Sequence, residues 1–127
     1  MKTVLVVDDE FDIRELLVDT LTDAGYNVIE AVNGNAALER IAADHPDIVL
    51  LDIWMPGMDG LEVLAQLRLS PDTAALPVIL LTAMPADAGE SAGLNLGVTH
   101  YVNKPWDSGV VEATLRTALR EAGATVD

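Results

Sequence analysis

The sequence predicts an α/β fold: a doubly wound, five-stranded parallel sheet with helices on both faces. Three observations carry this. Five short runs, Thr3–Val7, Tyr26–Ala31, Asp47–Ile53, Pro77–Thr82 and Val98–Asn103, read as strands, and the first, third and fourth are rich in Val, Ile and Leu. Strands that read as continuous aliphatic runs are buried on both faces, as in a parallel sheet covered by helices. Segments with helical spacing of apolar residues separate the runs, and alternating strands and helices joined by right-handed crossovers build a doubly wound domain. The chain has 127 residues, half of them hydrophobic, which suits one domain with a substantial core.

The elements follow in order. Thr3–Val7 is the first strand. The next segment places Ile13, Leu16, Leu17, Leu21 and Ala24 at helical spacing and stops at Gly25. Tyr26–Ala31 is the second strand. Asn33 is placed to cap a helix carrying Ala37, Leu38, Ile41 and Ala42, which ends before Pro46. Asp47–Ile53 is the third strand, and "DGLEVLAQLRL" puts Leu61, Leu64 and Leu67 on one helical face. Pro77–Thr82 and Val98–Asn103 are the fourth and fifth strands. The helix between them, in "PADAGESAGLNLG", is the weakest element, Gly- and Ala-rich with few large apolar residues. Asp107 or Ser108 opens the last helix, with Val111, Leu115, Ala118 and Ala122 inward. No linker, repeat or low-complexity tract interrupts the pattern, so residues 1–127 are expected to be a single domain.

Composition narrows the function. The formal net charge is −14, which argues against direct nucleic-acid binding, since that needs clustered Lys and Arg. There is no cysteine, so neither a disulfide framework nor a thiolate zinc site can form. The N-terminal apolar run is too short for a signal peptide, and no stretch reaches the length of a membrane span. A cytoplasmic protein without membrane insertion is the expectation.

Ligands of such sheets bind beyond the carboxyl ends of the strands. The first strand ends in Asp8, Asp9 and Glu10, the third in Asp52, the fourth in Thr82 and the fifth in Lys104. The second delivers nothing reactive. An Asp pair after a strand is commonly a helix cap, a Thr at a strand end is commonly structural, and Lys-Pro is commonly a turn. The shared rim is what gives these residues a joint meaning. Carboxylates about 4 Å apart repel by roughly 4 kcal/mol at an effective dielectric of 20, and a divalent cation removes that cost. All-oxygen ligands suit Mg²⁺. Cation, Lys104 ammonium and Thr82 hydroxyl together make a cradle for a phosphoryl group in transfer. The remaining carboxylate can serve as nucleophile, because carboxylates form aspartyl-phosphates. His45 and His100 are expected to be ordinary surface or packing residues.

With "VLVVDDE", "LLDIWMPGMDG", "VILLTA" and "YVNKPW" in this order and spacing, the chain resembles the receiver domain of two-component response regulators, from about Lys2 to Ala122. The resemblance implies the flavodoxin-like strand order 2-1-3-4-5 of the chemotaxis receiver. It implies that Asp52 accepts a phosphoryl group from a phosphohistidine of a sensor histidine kinase or histidine phosphotransfer protein. Asp9 would then bind Mg²⁺ directly, Asp8 mainly through water, and the main-chain carbonyl of Trp54 would be a further ligand. Thr82 and Lys104 would contact the phosphoryl oxygens. Tyr101 would turn inward as Thr82 moves, altering the surface of the fourth helix, fifth strand and last helix for a downstream protein target or a phosphorylation-dependent dimer. The resemblance thus implies a switch, not an enzyme beyond its own phosphorylation and dephosphorylation.

The departures are as informative. Trp54 and Met84 occupy the two positions that in the family line the path of the attacking water, and their bulk predicts a long-lived phosphoryl state. Trp106 stands where phenylalanine is commoner. The apolar-poor fourth helix puts the usual output face in question. "ATVD" after the last helix makes a stand-alone receiver one expectation and the N-terminal part of a longer chain the other. Three competing functions have weaker support. A Mg²⁺-dependent phosphohydrolase would place its nucleophile after the first strand with a second aspartate two residues on, but Phe11 and Glu10 follow Asp9. A nucleotide or flavin binder would carry a Gly-rich loop there. An unphosphorylated interaction module with the same fold would not need every chemical position filled.

Overall fold

The computed structural model describes residues 1–82, 100–103 and 108–124. Five strands form one parallel sheet: β1 (Thr3–Val7), β2 (Asn27–Ala31), β3 (Ile48–Asp52), β4 (Val78–Thr82) and β5 (His100–Asn103). Their order is β2-β1-β3-β4-β5, as the resemblance implied. Helices α1 (Phe11–Asp23), α2 (Gly34–Asp44) and α3 (Gly60–Leu69) follow the first three strands, and a C-terminal helix (Ser108–Ala124) follows β5. The expected fourth helix lies outside the described residues. Among the described residues no helix is long and apolar enough to cross a membrane.

Register is set in the core. Val4 pairs with Val28 on one side and Ile48 on the other, Leu50 with Ile79, and Leu80 with Tyr101. All pairings are parallel, so every strand points its carboxyl end at the same rim. Side chains alternate faces with a period of two. Leu5, Val7, Val49, Leu51, Val78 and Leu80 pack with Ile41 of α2 and with Val63, Leu64 and Leu67 of α3. Val4, Val6, Ile48, Leu50, Ile79 and Leu81 pack with Leu17 and Leu21 of α1 and with Val111, Leu115 and Ala118 of the C-terminal helix. Two cores, one on each face, explain why β1, β3 and β4 carry uninterrupted aliphatics. The edge strand β2 is only partly buried along most of its length.

Local chemistry sets the boundaries. The Asn33 side chain accepts the Ala36 N–H at 2.8 Å, so it caps α2 as expected. Asp59 and Glu62 form a reciprocal capping box at the start of α3. Gly25, at φ 99°, takes the left-handed turn that releases the chain from α1 into β2. Three expectations shift. Ile13, Leu17 and Leu21 recur every four residues and make the inward stripe of α1. Leu16 lies about 100° round the helix from Leu17 and is 49% exposed. In α3 the inward face is Gly60, Val63, Leu64 and Leu67, while Leu61 is only partly buried. His100 is more than packing: its Nε2 lies 2.6 Å from Glu121 Oε1, joining β5 to the C-terminal helix.

Candidate functional site at the carboxyl rim

Period-two alternation carries Asp8 on from Val4 and Val6, and Asp52 on from Ile48 and Leu50. Both aspartates therefore continue the face covered by α1 and the C-terminal helix, where the sheet runs out. Asp8 is 0% and Asp52 1% exposed. Asp9, one residue later, is exposed. One carboxylate oxygen from each of Asp8, Asp9 and Asp52 lies within 4.8 Å of the others. At about 5 Å, each charge pair costs roughly 3 kcal/mol at an effective dielectric of about 20. Oxygen donors converging from two strands suit a hard cation, so the residues present fit a metal ion.

The loops behind these carboxylates are well tied. Asp8 Oδ1 accepts the Glu10 N–H at 2.9 Å, and the Asp8 N–H donates to Ala31 of β2 at 3.3 Å. On β3, Asp52 Oδ1 accepts the Trp54 N–H at 3.3 Å. The Ile53 N–H donates to the Leu81 carbonyl at 3.2 Å, which extends the β3–β4 ladder past Asp52. The Gly60 N–H then donates to the Ile53 carbonyl at 2.9 Å. Trp54, expected beside the site, is 60% exposed, and Met55 behind it is buried.

The structure thus brings Asp8, Asp9 and Asp52 together. Thr82 closes β4, paired in register with Asn103, but its side chain lies outside the described residues, as do Lys104, Met84 and Trp106. Tyr101 is partly buried and packs against the core on the α2–α3 face.

Two participants escaped the sequence reading. Gly60 is one: a Cβ there would collide with the Asp52 carbonyl oxygen and come within 2.8 Å of the Ile53 Cα. The first turn of α3 therefore presses on the backbone that presents Asp52. Its only signal was its place in "LLDIWMPGMDG". Arg14 is the other: it donates from Nη1 to the Asp8 carbonyl at 2.9 Å. Its signal was a basic residue among the inward-spaced Ile13 and Leu17.

The family model of the response regulator receiver domain matches residues 4–116. The "Probable transcriptional regulator ycf27" of Cyanophora paradoxa is 42% identical over 119 residues, covering 94% of this chain and 48% of that protein. The phosphate regulon transcriptional regulatory protein PhoB of Pseudomonas aeruginosa is 38% identical over 122 residues, covering 96% and 53%. The chain thus spans about half the length of these curated relatives. The crystallised chemotaxis protein CheY4 of Vibrio cholerae superposes with a TM-score of 0.88 at 31% identity, covering 93% of this chain and 98% of that one. The chain belongs to the response regulator receiver domains of two-component systems, which are phosphorylation-dependent signalling switches.

Proposed function

We propose that this receiver takes a phosphoryl group onto Asp52 from a phosphohistidine of a sensor histidine kinase or histidine phosphotransfer protein, in a Mg²⁺-dependent step. The observation that carries this is the convergence of Asp8, Asp9 and Asp52 at one rim, with Asp52 presented from the centre of the sheet. Asp8, Asp9, Asp52 and the Trp54 main-chain carbonyl are the groups that would hold the ion. When bound, Mg²⁺ supplies positive charge against the carboxylates and the phosphoryl oxygens. An oxygen of Asp52 attacks phosphorus in line as the donor's N–P bond breaks and the imidazole leaves. Thr82 and Lys104 contact the equatorial oxygens. The anchoring of Asp52 at both sides of its loop supports a nucleophile positioned before the donor arrives.

The new phosphate carries close to two negative charges. It favours the arrangement in which Thr82 moves toward it and Tyr101 turns inward, a population shift between two packings. The changed surface of the fourth helix, β5 and C-terminal helix is then offered to a protein target or a second copy. Relatives are named transcriptional regulators. With a net charge of −14, this receiver is suited to act on such an output through protein contacts rather than by touching DNA itself. Residues 1–127 are read as a single receiver domain acting in the cytoplasm.

Incubation with acetyl phosphate, with and without Mg²⁺, followed by intact mass measurement, tests this. One phosphoryl adduct that needs Mg²⁺ and is lost in Asp52→Ala is expected. No adduct under any condition would favour a receiver-fold interaction module instead.

A further inference from the structure

Arg14 is held by partners on three sides. Its side chain is 12% exposed. Nη1 donates to the Asp8 carbonyl at 2.9 Å, while Nε donates to Glu30 Oε1 on β2 at 3.0 Å. Its guanidinium carbon lies 5.6 Å from the centroid of the Phe11 ring, at the start of α1. The guanidinium thus ties the turn carrying Asp8 and Asp9 to the neighbouring strand and to the first turn of the helix that follows. None of these bonds goes to the carboxylate of Asp8, Asp9 or Asp52. It grips the main chain between them.

We propose that Arg14, braced by Glu30, is a positioning residue for the acidic cluster, holding the Asp8–Asp9 turn so that both carboxylates face Asp52. The proposal rests on the cation reading of that cluster. The planar fork of arginine reaches two acceptors at once, whereas a lysine ammonium presents a point charge on a flexible stem. Groups that orient ligands without touching the metal commonly set affinity by 10–100-fold.

The sign of the effect separates this role from simple electrostatics. Arg14 is a cation near a cation site, so its charge alone opposes Mg²⁺, and removing it would tighten binding. Positioning predicts the reverse. Mg²⁺ is titrated calorimetrically into the wild-type chain, Arg14→Ala, Arg14→Lys and Glu30→Gln, with thermal melts in Mg²⁺-free buffer alongside. The expected result is a Kd raised about 10-fold in Arg14→Ala and not restored in Arg14→Lys. Glu30→Gln keeps an acceptor for Nε and should change Kd less than either. If Arg14→Ala fails to fold, Arg14→Lys decides. An unchanged or lowered Kd in a folded Arg14 variant overturns the proposal while leaving the cation reading intact. Absence of Mg²⁺ binding by the wild-type chain overturns both.

Discussion

Asp52 ends an all-buried strand, and its burial is the price of central placement: β3 has a neighbour on each side, so its last residue has little access to water. Aspartates at such ends were legible because an aliphatic run has no structural use for a terminal charge, and three of them converged on one rim. Trp54 was legible as a neighbour. Its main chain does bond to Asp52, but its side chain is largely exposed. The resemblance implies that bulk at this position slows the approach of water to the phosphorylated residue. Trp54→Ala should therefore shorten the phosphoryl lifetime several-fold, read by loss of the adduct with time. Its Mg²⁺ affinity should stay unchanged, because the carbonyl remains. Arg14 was not legible at this scale. Its meaning depends on Glu30, 16 residues away, and strand adjacency is not written in either residue.

At the scale of elements, α3 and β3 are locked by a contact only glycine permits. Gly60→Ala should cost about 1–3 kcal/mol, as overpacking does in a tight core, and should slow phosphorylation because the backbone of Asp52 must shift. Urea denaturation and the acetyl phosphate rate check the two parts. Asp59→Ala, one residue earlier, removes the capping box and should cost about 1 kcal/mol with phosphorylation retained. The pair separates helix stability from site geometry. Element positions read well from sequence because β1, β3 and β4 are unbroken aliphatic runs while the helices space their apolar residues, and Asn33 announced its cap. Helix faces read less well. Leu16 and Leu61 were placed inward because spacing finds a stripe but not its centre, which depends on where neighbouring strands lie.

For the whole molecule, acidity and the clustered carboxylates couple the site to stability. Mg²⁺ that binds only the folded chain adds about 1.4 kcal/mol at ten times its Kd, a Tm rise of roughly 4–8 °C for a domain of this size. Asp9→Ala should remove most of that rise. An equal rise in Asp9→Ala, seen by thermal melting, would place the ion elsewhere. The strand order was legible only through family resemblance, since the same alternation of elements is compatible with more than one doubly wound order.

Among the three converging aspartates, Asp52 is the proposed acceptor of the phosphoryl group. Borohydride reduces an acyl phosphate to an alcohol, so treating the phosphorylated chain and mapping its peptides by mass spectrometry marks the acceptor directly. Homoserine at position 52, dependent on both the phosphodonor and Mg²⁺, is the expected result. Homoserine at position 8 or 9, or at none of the three, would overturn the assignment of Asp52 as the acceptor.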